Sequence, residues 1–244
     1  QDITCNNAND GQISVATTTG GTGSRTYSID NATFGVGAVF SNLSGGNYKV
    51  YVKDDNNCKD STTAISIANP TAVSITAQKD NDITCNNDND GQISVNSSGG
   101  GTGTLNFSID NSTFGTATSF SSLNSGNYKL YVKDTRNCLD SSSMITITNP
   151  TAVAVSIQKN SDVSCFGSSD GEVAVGSGTG GTGTKNYSID NANYIAGITF
   201  SDLGAGDYKM YVKDANGCID SSASFVTVTE PNQIVVTAEL SKGS

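Results

Sequence analysis

Tyr48-Lys49-Val50-Tyr51-Val52-Lys53-Asp54 is the most strongly alternating stretch of the chain. With period two, Tyr48, Val50 and Val52 fall on one face, and Lys49, Tyr51 and Lys53 on the other. That pattern predicts a half-buried strand over Asn47–Asp54. The same seven-residue frame returns at 128–134 and at 208–214, a step of 80 each time.

Other landmarks keep that step. Cys5, Cys85 and Cys165 form one series, and Cys58, Cys138 and Cys218 a second. Asp-Gly recurs at 10–11, 90–91 and 170–171, Gly-Gly-Thr-Gly at 20–23, 100–103 and 180–183, and Ser-Ile-Asp-Asn at 28–31, 108–111 and 188–191. A fixed period of this kind marks duplicated structural units. The copies are read as 1–80, 81–160 and 161–244, with alternative cuts after Pro70, Pro150 and Pro231.

Within the first copy, further strands are expected at Gln12–Ala16, Arg25–Asp30, Thr33–Phe40 (one run kinked by Gly35 and Gly37), Thr63–Ala68 and Ala72–Ala77. Turn chemistry separates them. Many short strands between frequent turns predict an all-β fold, three tandem Ig-like β-sandwich repeats in a linear array. The strand after each proline either closes its own copy or opens the next. The first reading gives three complete copies and is preferred. The second leaves the first copy a strand short and the last with a spare to donate.

A sandwich of about 80 residues buries a modest core, so a covalent staple is expected. Pairing Cys5 with Cys58 closes a loop of about 54 residues, worth roughly 4 kcal/mol by chain entropy. Counting four strands between the two cysteines puts both at one end of the sandwich. The same pairing is expected for Cys85–Cys138 and Cys165–Cys218, with free buried thiols as the rival reading. Disulfides of this kind belong outside the reducing cytosol.

Composition narrows the function. The 244 residues hold 23 acidic and 13 basic side chains, a net charge of −10, and no histidine. Nucleic acid is a poor partner for such a surface, and Ser-His-Asp, Cys-His and His-ligated metal chemistry are excluded. No run of 18 apolar residues is present, so no membrane span is expected. Gln1 falls in mid-pattern, which reads as a segment of something longer. No cofactor is expected, with calcium as the exception to test.

Calcium is raised by the acidic loops at the cysteine end. Those loops carry Asp10, Asp30, Asp54 and Asp60; Asp90, Asp110, Asp134 and Asp140; and Asp170, Asp190, Asp214 and Asp220. Six to eight oxygens are needed. Asn86, Asp88, Asp90 and Gly91 imitate the start of an EF-hand loop, but Ser97 stands at its twelfth position. Turn capping by Asp and Asn is the competing explanation. A second candidate is the row Tyr51, Tyr131 and Tyr211, each flanked by lysines, for a ligand or an interface. Packing across neighbouring strands is its competitor.

Taken in order, Cys5-Asn-Asn-x-Asn-Asp-Gly-Gln-Ile-Ser-Val, Gly-Gly-Thr-Gly, Tyr-Ser-Ile-Asp and Gly-Asn-Tyr-Lys-Val-Tyr-Val-Lys-Asp-x-Asn-x-Cys58 resemble the SprB repeat family. These are tandem modules of very large surface proteins of Bacteroidetes, named from a gliding-motility adhesin. The resemblance covers the chain three times. It departs after Gly-Gly-Thr-Gly, where the family often has Pro-Tyr and this chain has Ser-Arg, Thr-Leu and Thr-Lys. It implies an extracellular adhesin or filament at the cell surface, with no catalytic residues. Two functions follow: a structural stalk or fibre whose partners are neighbouring copies of the repeat, joined head-to-tail into a polymer, or an adhesive module for surface polysaccharide.

Overall fold

The computed structural model describes residues 1–240. Every element among them is a β-strand, so the chain is all-β. The first copy holds β1 (Gly11–Ser14), β2 (Thr26–Ser28), β3 (Val39–Leu43), β4 (Gly46–Tyr48), β5 (Tyr51–Lys53), β6 (Lys59–Ser61) and β7 (Ile65–Ile67). These form three small antiparallel sheets: β1 with β3, β4 with β7, and β5 between β2 and β6. In register, Tyr27 lies opposite Val52, and Val52 opposite Asp60. Strands of the first two sheets meet around Ile3, Ile13, Val50 and Ile67, with Phe40, Tyr48 and Ile65 packed against them. This is a small sandwich, present three times.

β8 (Ser74–Asn81) follows the first copy. The second copy holds β9 (Gly91–Gly99), β10 (Asn106–Ser108), β11 (Ser119–Leu123), β12 (Gly126–Tyr128), β13 (Tyr131–Lys133), β14 (Leu139–Ser141) and β15 (Ile145–Ile147). β16 (Ala154–Ser161) precedes the third, which holds β17 (Gly171–Thr179), β18 (Asn186–Ser188), β19 (Thr199–Leu203), β20 (Gly206–Tyr208), β21 (Tyr211–Lys213), β22 (Ile219–Ser221) and β23 (Val226–Val228). By contact density the chain forms two compact bodies. One comprises Gln1–Asp80, Ile93–Phe120 and Asn127–Thr146; the other comprises Asn81–Gln92, Ser121–Gly126 and the chain from Ile147 on.

Three expectations change. The strand expected over Asn47–Asp54 is two strands in different sheets, β4 and β5. The chain crosses at Val50, which is buried. Its N–H donates to Thr62 Oγ1 and its carbonyl accepts from Thr62 N, so the crossing leaves no backbone group unpaired. Leu130 with Ser142, and Met210 with Ser222, repeat the device. Five strands, β1 to β5, therefore precede Cys58, and the count of four that placed it beside Cys5 fails. Thr33–Phe40 is not one strand: it contributes a bridge from Gly35 to Tyr27 and the start of β3.

The third change concerns the strand after the proline. β8 hydrogen-bonds to β9, and β16 to β17. This strand joins the following copy, not its own. It lengthens the recipient: β17 is a nine-residue strand held between β16 and β19, whereas β1 has four residues and β3 as its sole neighbour.

Candidate functional site

The residues that distinguish this chain gather where one copy meets the next. Cys5 bonds to Cys138 and Cys85 to Cys218, each across 133 residues, with Cα–Cα distances of 5.5 and 5.6 Å. Cys58 and Cys165 are free and exposed. The expected pairs within copies, Cys5–Cys58, Cys85–Cys138 and Cys165–Cys218, are thus corrected to pairs between copies. A loop-closure argument ranks pairings by the chain they enclose and does not see which loops face each other.

Both partners of each bond are held by their own loops. On one side, Asp10 accepts from Thr4 N, and Asn7 at φ 58° presents its N–H to Asn69 Oδ1, while Asn6 Nδ2 donates to the Pro70 carbonyl. Asn86 and Asn87 make the same contacts to Pro150 and Asn149, and in the third copy Gly167 N donates to Glu230 instead. On the other side, Asp134 Oδ1 accepts from Arg136 N and Cys138 N, and its Oδ2 accepts from Thr102 N. Asp54 and Asp214 repeat this set. The backbone N–H of Thr22 and then that of Cys58 hold the Asp54 carboxyl below the usual aspartate range. Across the joint, Arg136 Nη1 donates to the Ile3 carbonyl, and Asn216 Nδ2 to the Thr84 carbonyl.

The linking strand completes the joint. Thr71 O accepts from Gly101 N, Ile75 N donates to Asp140, and the Thr76 and Ser97 hydroxyls are hydrogen-bonded. The backbones approach so closely that a Cβ on Gly100 would stand 1.8 Å from the Ala72 carbonyl oxygen. Gly180 meets Ala152 at the same distance. Gly20, at the equivalent place in the first copy, has nothing within 4 Å. A cavity of about 550 Å³ opens there instead, lined by Val15, Gly20, Tyr27, Val52, Cys58 and Thr62 among others.

The acidic residues are dispersed. Asp30, Asp110 and Asp190 each accept from the serine two positions earlier and from two following backbone N–H groups, which depress their carboxyls strongly. Asp90 and Asp170 serve Thr84 and Ser164 as Asp10 serves Thr4. Asp60 accepts from Ser61 N, and Asp220 lies opposite Val212 in its sheet. Among the described residues no three acidic or cysteine side chains come together as a metal would need. Tyr51, Tyr131 and Tyr211 are half-buried rather than displayed. The lysines beside them stack on rings: Lys53 and Lys59 over Phe34, Lys133 over Phe114 and Lys213 over Tyr194, at 4.3–4.9 Å.

The fold and the joint define a class: tandem β-modules stapled to their neighbours and completed by a strand from the copy before. The family model described as SprB repeat matches residues 1–34, 80–114 and 159–193. The match to the SprB repeat model thus recurs three times along the chain. Among curated proteins none matches it. Among solved structures it is similar to Drosophila OTK extracellular domains 3–5, at 10% identity over 85% of each chain with a TM-score of 0.32. It is also similar to the Bacteroides ovatus mixed-linkage glucan utilization locus SGBP-B in complex with a mixed-linkage heptasaccharide. There the identity is 14%, over 93% of this chain and 66% of that one, with a TM-score of 0.20. At these scores neither likeness bears on function.

Proposed function

We propose that this chain is a non-catalytic structural segment of an extracellular surface fibre or adhesin stalk. The interlocking of consecutive copies supports this reading: each copy is covalently tied to the next by Cys5–Cys138 or Cys85–Cys218 and lends it a strand. Such a joint opposes separation of modules, which a freely jointed string of binding domains does not need. Adhesion to polysaccharide through the tyrosine row takes second place, because those rings are half-buried.

Pulling the chain by its ends tests the proposal. With both disulfides intact, the shortest covalent path runs from Cys5 to Cys138, back to Cys85 and across to Cys218. That path spans roughly 85 residues, about 30 nm when extended, against about 85 nm for the reduced chain. A large contour gain on reduction, with the oxidised chain resisting extension to higher force, is the expected result. Equal and low unfolding forces in both states, together with saturable binding of a glycan by one copy, would sink the structural reading.

A further inference from the structure

The loop from aspartate to cysteine is built to one plan in all three copies: Asp54 to Cys58, Asp134 to Cys138 and Asp214 to Cys218. The residue before each cysteine takes a positive φ, 65° at Asn57, 68° at Asn137 and 87° at Gly217. Asparagine and glycine adopt that conformation at least cost. In the third copy the glycine stands directly after an asparagine. Asn216-Gly217 is the one Asn-Gly pair in the sequence, where the first and second copies have Asn56-Asn57 and Arg136-Asn137.

Asparagine is a thermolabile residue, and a following glycine exposes its weakness. The next backbone nitrogen can attack the side-chain Cγ, and glycine has no Cβ to obstruct the five-membered ring. Asn216 and Gly217 are both exposed, so water reaches them. What restrains them is the joint. Gly217 N, the attacking atom, donates to the Asp214 carbonyl at 3.1 Å. Asn216 N and Cys218 N both donate to Asp214 Oδ1. The Asn216 amide is held by the Thr84 carbonyl, to which Nδ2 donates at 3.1 Å. Cys218 is bonded to Cys85. Ring closure has to break the first and the third of these hydrogen bonds.

We propose that Asn216-Gly217 is a deamidation site gated by the Cys85–Cys218 disulfide: slow while the second joint is closed, fast once it is reduced, and irreversible. Opening takes two electrons and two protons from a thiol reductant, which leaves as a disulfide while Cys85 and Cys218 become thiols. The bond from Gly217 N to Asn216 Cγ then forms and the Cγ–Nδ2 bond breaks. The amide leaves as ammonia, carrying the proton that Gly217 N gave up. Water opens the succinimide to aspartate or isoaspartate, so the net change consumes one water and releases one ammonia. Either product has lost the donor to the Thr84 carbonyl and sets a carboxylate against that acceptor oxygen. Isoaspartate also adds a methylene to the backbone beside Cys218, shifting it from the 5.6 Å Cα–Cα placement that the disulfide uses. A joint left open long enough therefore no longer closes. The first joint, with Arg136-Asn137, has no such latch.

The test follows Asn216 by peptide mapping with mass spectrometry in the purified 244-residue chain. Three states are incubated side by side: oxidised, reduced with dithiothreitol, and reduced in urea. Conversion should be about tenfold faster in the reduced native chain than in the oxidised one, the factor that the restraint of one lost hydrogen bond represents. On return to an oxidising glutathione buffer, the aged chain should recover Cys5–Cys138 but little Cys85–Cys218. G217N restores the pair found in the first copy, where Asn57 already holds this conformation; it should suppress the conversion and keep re-closure complete. Equal rates in the oxidised and reduced chains overturn the proposal. So does a reduced chain that stays intact at Asn216 while the urea-unfolded chain converts, or an aged chain that re-forms Cys85–Cys218 in full. Asn111-Ser112 is the internal control, because Ser112 N is likewise hydrogen-bonded, to Asp110 Oδ1. A parallel acceleration there on reduction means general unfolding and also overturns the gate.

Discussion

The first and third copies share a sequence frame but not a degree of completion. In the third copy Val153, Val163, Val173, Tyr187, Leu203, Met210, Val212 and Val228 form one buried cluster. In the first, the buried cluster shrinks to Ile3, Ile13, Val50 and Ile67. Tyr27 and Val52 occupy the positions of Tyr187 and Val212, yet they remain half-buried. The substitutions between the copies do not cause this, since tyrosine and valine are the same in both. The cause is the strand from the preceding copy, present in one and absent from the other. The folding unit of this protein is therefore not the sequence repeat but the repeat plus its neighbour's strand.

That comparison breaks most visibly at the staples. C138S turns a closed joint into an open one. It removes a cross-link over 133 residues whose chain-entropy contribution is about 5 kcal/mol. Thermal denaturation should show a large drop for C138S and none for C165S. Equal effects would mean that the free and bonded sites are not different in solution.

The strand itself comes next. Val153 is 7% exposed in β16's approach to the third copy, and V153D should cost about 3–4 kcal/mol, because a carboxylate enters an apolar seat without a partner. I234D, at the equivalent position of the unpaired segment, should leave the monomer's denaturation midpoint unchanged. A smaller contrast lies in the aspartates that shape the receiving loops. D134A strands three backbone N–H groups in a buried site and should cost about 3 kcal/mol, whereas D54A, beside the open groove, should cost less by chemical denaturation.

Protonation of Asp162 should act least. The Lys159 ammonium and the Thr229 N–H lower Asp162 from 3.8 to about 2. A depressed folded-state value contributes stability that is present above the unfolded value and is lost as pH falls through the folded one. The melting temperature should therefore be flat from pH 8 to pH 5, with this contribution fading between about 4 and 2. D162N should remove that part of the slope. A loss centred near pH 6 would contradict it.

Much of this was legible in the residues. The step of 80, the turn chemistry and the alternation around Tyr48 and Val52 lead to three all-β copies. The pairing of cysteines was not legible, because each copy was read as closed on itself. Alternation in Ala72–Ala77 is the same whether that strand packs backward or forward, so periodicity cannot assign its partner. Val50 was read inside one strand because a buried valine between two tyrosines fits an alternating strand as well as a crossing between sheets. The one signal that could have exposed the crossing is the hydroxyl kept at Thr62, Ser142 and Ser222. The aspartates were read as a gathered acidic end from a strand count; they are instead dispersed, most of them accepting from backbone N–H groups of turns and loops.

Overlapping rings have a consequence for resistance to proteolysis. The loop closed by Cys5–Cys138 and the loop closed by Cys85–Cys218 share the stretch from 85 to 138. A protease that cuts any one peptide bond between Cys5 and Cys218 leaves the two fragments covalently joined, since at least one ring spans every such bond. Severing the molecule there takes, besides the first cut, a further cut or a reductant. A nicked chain should run intact on a non-reducing gel and fall apart on a reducing one, much as a rope with overlapping splices keeps its length when one strand is cut.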